Sequence, residues 1–311
     1  MSDYVVAVDL GGTLTKVAYA TADGTVSPAV RLPTRMVDGR ASVPGLASVI
    51  DDAVAAQPGR RCLGFGVVVP GIIDVPRGVV RAAPNVGWFD LALRDRLSAL
   101  TGRPGTVAHD VRCGGLAEWR VGAGVGATNL LFLPLGTGVA GAMLVDGRLV
   151  DADGYAGEIG HIVVPAAKDG ACLCGQRGCL ETVASAVGVA RTYAQQAGAA
   201  VPGTPAVDAE QVAELARAGD PAARRAFDVA VQALVEGLTT YASLLAPETV
   251  VLGGGLAGAF DLLAEPITAG LDTRLTFQRR PQVVPALLGA DAGVIGAGLM
   301  AWDRIREDDD S

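Results

Sequence analysis

The chain has 311 residues, of which 50% are hydrophobic and 19% are charged, a composition typical of a globular protein with a buried core. Its formal net charge of −8 argues against nucleic acid or an anionic membrane as a partner, because both attract a concentrated positive field. No apolar run reaches the roughly 18 residues of a membrane helix, and the first residues lack the basic start of a signal peptide. We therefore expect a cytoplasmic protein that acts on small molecules.

The first half of the chain predicts strands followed by alternating helices and strands. Residues 4–9 alternate as a strand does, turn at a glycine pair, and continue as strands over 14–20 and 25–32. A helix over 43–56 leads to a buried strand over 64–69. Asp90 is the predicted N-cap of a helix that runs to residue 100 and ends at Thr101-Gly102. A strand over 106–109 and a helix over 110–119 follow.

The second half repeats the opening plan, with strands over 130–135 and 139–145 joined by a glycine-rich turn. Helices are predicted over 182–196, 208–218 and 221–245, and a strand over 249–252 precedes three consecutive glycines. A closing helix begins near Asp291. At about 100–200 residues per domain the length predicts two α/β domains. We place the first at 1–120 plus 291–311 and the second at 121–290.

The first glycine turn has the chemistry of a phosphate site. Asp9 ends a strand, Gly11 and Gly12 expose backbone N–H groups, and Thr13 and Lys16 add a hydroxyl and a positive charge. Such N–H groups bind anions, and the carboxylate could hold Mg²⁺ through water. An ordinary hairpin turn also favours two adjacent glycines, so this alternative stays open.

The second glycine turn contains a G-x-G-x-x-G pattern formed by Gly136, Gly138 and Gly141. This pattern after a strand could indicate a dinucleotide-binding fold and an NAD-dependent dehydrogenase. That fingerprint must open a helix, however, whereas residues 139–145 are apolar, β-branched and followed by Asp146-Gly147, a hairpin signal. We therefore predict strand, turn and strand here.

A metal site is predicted from one histidine and three cysteines, namely His161, Cys172, Cys174 and Cys179. One imidazole and three thiolates complete a tetrahedral Zn²⁺ site of the structural kind; three packed free cysteines are the alternative. Such a site would fix Glu158 and Glu181, which flank the ligands. Asp110 ends a strand and precedes a helix, where it could be a catalytic carboxylate or merely an N-cap.

Together these motifs resemble the ROK family of sugar kinases and repressors over essentially the whole chain. The matching segments are DLGGTLTK near residue 9, VVPG at 68–71, PNVGW at 84–88, LGTGVAG at 135–141, GEIGH at 157–161, CLCGQRGCLE at 172–181 and LGGGL at 252–256. The resemblance implies the two-domain, actin-like (ribonuclease-H-like) ATPase fold with an interdomain cleft. It also implies transfer of the γ-phosphoryl group of ATP to a sugar, usually to the 6-OH of an aldohexose, and a homodimer.

The resemblance assigns a role to each candidate residue. Asp110 would be the catalytic base, and zinc would be held by the ligands named above. The sugar hydroxyls would be bound by Gly71, Asn85, Glu158, His161 and Glu181. The phosphates of Mg²⁺·ATP would be held at Gly11-Gly12 and at Gly136, Thr137 and Gly138, with Gly253, Gly254 and Gly255 beside the adenosine.

One departure from the family pattern bears on the sugar. The family usually has Asn-Asp at the base followed by Ala-Asn, whereas this chain reads His109-Asp110-Val111-Arg112. We expect His109 to read the sugar in place of the usual Asn, with N-acetylglucosamine and glucose as equal candidates. A sugar-sensing regulator without kinase activity is the alternative. The first predicted strand begins at residue 4, which we interpret as leaving no room for an upstream helix-turn-helix.

Overall fold

The computed structural model describes residues 3–168, 170–198 and 207–309. Within these ranges the strands are β1 (Tyr4–Leu10), β2 (Leu14–Thr21), β3 (Val30–Pro33), β4 (Met36–Val37), β5 (Arg40–Ala41), β6 (Cys62–Val69), β7 (Ile72–Asp74), β8 (Val79–Ala83), β9 (Trp88–Leu91), β10 (Gly105–His109), β11 (Leu130–Pro134), β12 (Ala142–Val145), β13 (Arg148–Leu149), β14 (Thr249–Gly253) and β15 (Gln282–Pro285). The α-helices are α1 (Val43–Ala55), α2 (Leu93–Thr101), α3 (Asp110–Val121), α4 (Glu181–Ala184), α5 (Ala186–Gln196), α6 (Ala209–Arg217), α7 (Pro221–Leu245), α8 (Phe260–Arg274) and α9 (Ala292–Asp309).

The chain divides into two compact units. The first comprises Met1–Ala117, Asp151–Ala156 and Asp291–Ser311, and the second comprises Glu118–Val150 and Gly157–Ala290. Segment 151–156 thus belongs to the first unit, whereas the sequence-based division assigns it to the second.

A five-stranded mixed sheet in the order β10-β6-β1-β2-β3 is the centre of the first unit. β1 pairs antiparallel with β2 and parallel with β6, and β10 is parallel to β6. Alternate residues of β1 face opposite sides of this sheet. Val6 and Val8 join the core formed with α1 and α2, while Ala7 packs with Val294 and Ala297 of α9. The small residues on that second face let α9 lie close to the strands.

Three details of the first unit differ from the sequence-based expectation. The predicted N-cap Asp90 instead lies in β9 with a φ of 44°, because β9 continues its pairing with β8 as far as Leu91; the N-cap of α2 is Ala92. The third strand is Val30–Pro33 rather than 25–32, since Val26 makes only an isolated bridge to Ala20. The sheet formed by β7, β8 and β9 has no counterpart in the prediction.

The second unit repeats the topology of the first. Its five-stranded sheet has the order β13-β12-β11-β14-β15, with an antiparallel meander from β11 to β13 and parallel partners β14 and β15. In each unit a glycine-rich turn follows the first strand. The predicted helix 221–245 is confirmed as α7, which is the centre of the packing of α5, α6 and α8.

The predicted helix 182–196 is interrupted at Ser185. The Ser185 hydroxyl accepts a hydrogen bond from the backbone N–H of Gly188, at 3.0 Å, and so caps α5. α4 therefore ends at Ala184 and is a separate short helix. The second strand of the meander begins at Ala142, after an isolated Leu135–Val139 bridge, and not at Val139 as expected.

Candidate active site

The first glycine turn connects β1 to β2 and is fixed by a threonine from outside the motif. The backbone N–H of Gly11 donates to the carbonyl of Leu14 at 2.9 Å, and the hydroxyl of Thr34 donates to the carbonyl of Gly11 at 2.7 Å. Gly12 and Thr13 are exposed at the tip of the turn. Their backbone N–H groups and the Thr13 hydroxyl are thus placed where a phosphate could reach them.

Asp9 and Lys16 face each other across this hairpin. They are register partners of β1 and β2, and Lys16 Nζ lies 3.0 Å from Asp9 Oδ2. Burial raises the pKa of Asp9 despite the opposing charge of Lys16, and the nearby carboxylates of Asp110 and Asp291 raise it further. A Cβ added to Gly293 would lie 3.0 Å from Asp9 Oδ2, so this glycine lets the start of α9 approach the carboxylate. A carboxylate beside an exposed glycine turn fits Mg²⁺, which prefers oxygen ligands.

Asp110 lies where β10 ends and α3 begins, in the same unit as the first turn. The backbone N–H of Val111 donates to its Oδ1 at 2.7 Å, and His109 Nε2 lies 3.4 Å from the same oxygen. Its Oδ2 makes no hydrogen bond with the part of the chain that the structure describes. The side chain keeps 31% of its surface exposed. Desolvation by the surrounding protein raises the pKa of Asp110, against the effects of the Val111 bond and of Arg112.

His109 is mostly buried and its ring is held by the helix that follows it. The backbone N–H of Arg112 donates to His109 Nδ1 at 3.3 Å, so the neutral ring carries its proton on Nε2, toward Asp110. Burial, together with the positive charge of Arg112, lowers the pKa of His109 to about 3. The imidazole is therefore neutral near pH 7 and caps the first turn of α3.

Two further sugar-site candidates lie in the first unit. Gly71 follows β6 with a φ of 111°, and a Cβ there would lie 2.1 Å from the carbonyl of Ala82, so only glycine fits. Asn85 is exposed, and its backbone carbonyl would lie 2.9 Å from a Cβ on Gly12. The structure therefore brings Asn85 against the first glycine turn.

The second glycine turn lies between β11 and β12, with Thr137 and Gly138 exposed. This strand, turn and strand arrangement contradicts a dinucleotide-binding fingerprint, which requires a helix after the turn. The run 253–255 lies beside it. The backbone N–H of Leu135 donates to the carbonyl of Gly253 at 2.8 Å. Gly254 has a φ of 77°, and a Cβ there would lie 2.5 Å from the carbonyl of Leu135. Gly138, Gly254 and Gly255 are exposed, whereas Gly253 is buried at the end of β14.

The four predicted metal ligands form a cluster whose ligand atoms all lie within 4.8 Å of one another. Cys172 Sγ is 3.6 Å from His161 Nδ1, and Cys174 Sγ is 3.7 Å from Cys179 Sγ. Bond lengths of about 2.3 Å to sulfur and about 2.0–2.1 Å to nitrogen give tetrahedral edges of about 3.8 Å and 3.6 Å. The donor set and these two spacings therefore fit Zn²⁺.

The two candidate glutamates lie on opposite sides of His161. Glu158 Oε2 lies 3.8 Å from His161 Nε2, and Glu181 Oε1 lies 3.8 Å from His161 Nδ1. Glu158 is the more exposed, with 53% of its side-chain surface accessible against 22% for Glu181. Glu181 also contacts the second glycine turn, since its Oε2 accepts a hydrogen bond from the backbone N–H of Val139 at 3.1 Å.

No motif of the sequence assigns a role to Thr34, Gly293 or Arg112. The hydroxyl of Thr34 contacts Gly11, and the backbone at Gly293 lies against the Asp9 carboxylate. Both residues come from distant parts of the chain, so no local pattern indicates their role. Arg112 was noted only as a departure from a family pattern. Of the helices that the structure describes, none is both long and apolar enough to cross a membrane.

Comparisons with known proteins place these features in one family. The glucokinase of Halalkalibacterium halodurans is 36% identical over 319 residues, with 96% of each chain covered. The model of the ROK family matches residues 5–304. The chain belongs to the ROK family. A crystal structure of a ROK family glucokinase from Streptomyces griseus in complex with glucose and AMPPNP is similar at 29% identity, with a TM-score of 0.79 and 96% of this chain and 99% of that chain covered.

A second relative has another substrate in its name. It is the N-acetylgalactosamine kinase AgaK of a Shewanella species, which is 30% identical over 305 residues. The alignment covers 94% of this chain and 95% of that protein. The ROK chain described here shares the family's two-domain, actin-like α/β fold.

Proposed function

We propose that this ROK protein is an ATP-dependent sugar kinase that phosphorylates the 6-OH of a glucose-type aldohexose, either glucose or N-acetylglucosamine. The observation that carries the proposal is the placement of Asp110. Its Oδ1 accepts a hydrogen bond from the backbone N–H of Val111 and lies near His109 Nε2, while Oδ2 makes no hydrogen bond with any described residue. Both Asp110 and the exposed glycine turn lie in the first unit.

Asp110 would act as the general base through Oδ2. The proton of the sugar 6-OH passes to Oδ2 while the sugar oxygen forms a bond to the γ-phosphorus of ATP. The bond from that phosphorus to the β,γ-bridging oxygen breaks, and ADP leaves with the electron pair. A base in the right position contributes about 10²–10⁴-fold to such a step.

The glycine turns would hold the nucleotide. Gly12 and Thr13 would present donors to phosphate oxygens, and Lys16 would add a positive charge beside them. The N–H of Gly11 already donates to the Leu14 carbonyl, so Gly11 would only shape the turn. In the second glycine turn Thr137 and Gly138 would likewise present donors, while the N–H of Gly136 donates within the turn to the Gly138 carbonyl. Gly253, Gly254 and Gly255 would lie beside the adenosine. Mg²⁺ bound with ATP would neutralise charge on the transferring phosphoryl group, and Asp9 is the carboxylate placed to hold it.

The sugar would be oriented by hydrogen-bonding groups of Gly71, Asn85, Glu158, His161 and Glu181. Zinc would be held by His161 and the three cysteines and would fix the backbone around these groups. Glucose is supported by the Halalkalibacterium and Streptomyces relatives, and an acetamido sugar by the Shewanella relative.

A sugar-panel assay tests the proposal. Purified protein is given Mg²⁺·ATP with glucose, N-acetylglucosamine, mannose, N-acetylmannosamine or no sugar, and release of ADP is followed. We expect ADP release only with a suitable sugar and a 6-phosphate product by ³¹P NMR. If a sugar binds calorimetrically but no sugar releases ADP, a sugar-sensing regulator is the correct function and the kinase proposal fails.

A further inference from the structure

Arg112 is a buried arginine whose side chain contacts a segment of chain about 40 residues away. Its Nε lies 3.1 Å from Asp151 Oδ1, and its Nη1 donates to the carbonyls of Gly154 at 3.1 Å and Ala156 at 3.2 Å. Only 3% of its side-chain surface is exposed. One guanidinium therefore holds the first, fourth and last residues of the segment Asp151–Ala156.

The segment that Arg112 holds has an unfavourable backbone conformation. Three successive residues have positive φ angles, namely Ala152 at 47°, Asp153 at 55° and Gly154 at 88°. The left-handed region is unfavourable for residues other than glycine, so Ala152 and Asp153 are strained. A Cβ on Gly154 would also lie 2.5 Å from the carbonyl of Ile73, so the segment packs closely on β7. Such a conformation persists only where surrounding contacts hold it in place.

The surroundings of Arg112 argue against a purely stabilising role. Its Nη2 is buried and makes no hydrogen bond within the described residues. An unpaired buried donor costs stability, and a buried ion pair often contributes little net stabilisation. Asp151, its carboxylate partner, is 34% exposed and can be solvated if the arginine is removed. What the guanidinium does provide is three directed contacts to one strained segment.

The location of this contact relates it to the sugar site. Arg112 lies in the first turn of α3, two residues after Asp110, and the segment that it holds ends two residues before Glu158. We propose that Arg112 is a positioning residue for the sugar site, which fixes the backbone from Asp151 to Ala156 and thereby the approach of the chain to Glu158. This inference rests on the proposed function, because it assigns sugar binding to Glu158.

The test compares Arg112→Lys and Arg112→Met with Arg120→Met, an exposed arginine of the same helix. Lysine keeps the charge, but its donors all lie on one nitrogen, whereas Arg112 uses the separate Nε and Nη1 of a planar guanidinium. We expect both Arg112 variants to raise the KM for the sugar about tenfold or more, with the KM for ATP within twofold of wild type. Arg120→Met should leave both constants unchanged. Restoration of a wild-type sugar KM by Arg112→Lys would overturn the proposal, since charge alone would then suffice.

Hydrogen exchange provides a readout that does not require activity. Peptides covering residues 151–158 should exchange at least several-fold faster in Arg112→Met than in wild type, while peptides from α7 keep their protection. Unchanged exchange in 151–158 would overturn the inference. If Arg112→Met does not fold, Asp151→Ala, which removes the one side-chain partner, replaces it with the same expected results. If wild-type protein phosphorylates no sugar, the proposed function fails, and the exchange comparison alone decides whether Arg112 positions the segment.

Discussion

The carboxylate of Glu181 accepts a hydrogen bond from the backbone N–H of Val139, with 3.1 Å between the nitrogen and Oε2. Its other oxygen lies 3.3 Å from Cys172 Sγ and 3.8 Å from His161 Nδ1. A Cβ on Gly138 would lie only 2.8 Å from Glu181 Oε2. One side chain therefore connects the second glycine turn with the cysteine and histidine cluster, and we expect a change at either place to affect the other.

Replacing Glu181 should weaken the binding of both proposed substrates, the sugar and ATP. In Glu181→Ala the Val139 N–H loses its acceptor, and we expect kcat/KM for the sugar to fall at least tenfold with a higher KM for ATP. Glu181→Gln keeps an oxygen acceptor, so its KM for ATP should stay within twofold of wild type while its sugar KM rises. Glu210→Ala, an exposed glutamate of α6, is the control. Steady-state kinetics against each substrate measure these effects, and an unchanged ATP KM in Glu181→Ala would contradict the argument.

The metal cluster should hold one zinc ion per chain. Mass spectrometric metal analysis of purified protein should find zinc in the wild type and in Cys62→Ser, since Cys62 lies outside the cluster. Cys179→Ser should lose the metal and, with it, sugar affinity, because Glu181 begins α4 two residues later and is no longer fixed. A zinc-free preparation with full activity would show that the ion has no role in the site.

Asp110→Asn should separate catalysis from stability. Loss of the base should lower kcat by about 10²–10⁴-fold, while sugar binding measured by calorimetry persists. The folded-state pKa of Asp110 is raised, so its contribution to stability is present at low pH and is lost as the pH rises through that pKa. Asparagine does not ionise, so its contribution to stability does not fall as the pH rises. Its side-chain oxygen can still accept the hydrogen bond from the Val111 N–H. At pH 7 the variant should therefore melt no lower than wild type by calorimetry, and turnover near the wild-type rate would leave Asp110 as a helix cap only.

The pH dependence of wild-type turnover should reflect the ionisation of the Asp110 carboxyl group. The base acts when it is deprotonated, and its pKa lies above the ordinary 3.8. The acid limb of kcat/KM should therefore lie above pH 3.8, and His109, with a pKa of about 3, should contribute no limb near neutrality. Profiles of wild type and His109→Asn should have the same limb; a limb near pH 6.5 that disappears in His109→Asn would contradict this assignment.

His109→Asn also tests how the sugar is selected. An asparagine oxygen can replace Nδ1 as the acceptor for the Arg112 N–H, so the helix start is preserved. The amide also presents a donor and an acceptor that the imidazole does not. We expect the ratio of kcat/KM between glucose and N-acetylglucosamine to change at least several-fold. An equal ratio in the two proteins would show that His109 does not read the sugar.

The elements that the sequence predicted well have strong local signals. The predicted hairpin at the first glycine turn, α1 and α7 are confirmed. The structure adds side-chain caps at Ser42 and Asp220, which the prediction did not include. The four residues that the sequence predicts as metal ligands also lie together in the structure. The prediction for Asp90 failed because strand pairing with β8 outweighs its preference for a helix N-cap.

Long-range relationships could not be predicted in this way. Nothing local indicates that Arg112 holds Gly154, because the pairing depends on how α3 and a distant segment pack. α8 and β15 carried no prediction, and α8 contains Pro266, which weakens a helical pattern. The contact between Glu181 and Val139 also joins residues that are separated by 42 positions. Only the folded chain brings such residues together.

The position of α9 in the chain has a consequence for synthesis. Val294 and Ala297 of this helix cover the face of the first sheet that carries Ala7 and Ala18, yet they are translated after every residue of the second unit. During synthesis one apolar face of the first sheet therefore stays uncovered until α9 is translated, whereas every residue of the second unit has by then been synthesised. We expect the second unit to become protease-resistant first in nascent chains, and the N-terminal strands to need shielding until the last helix emerges.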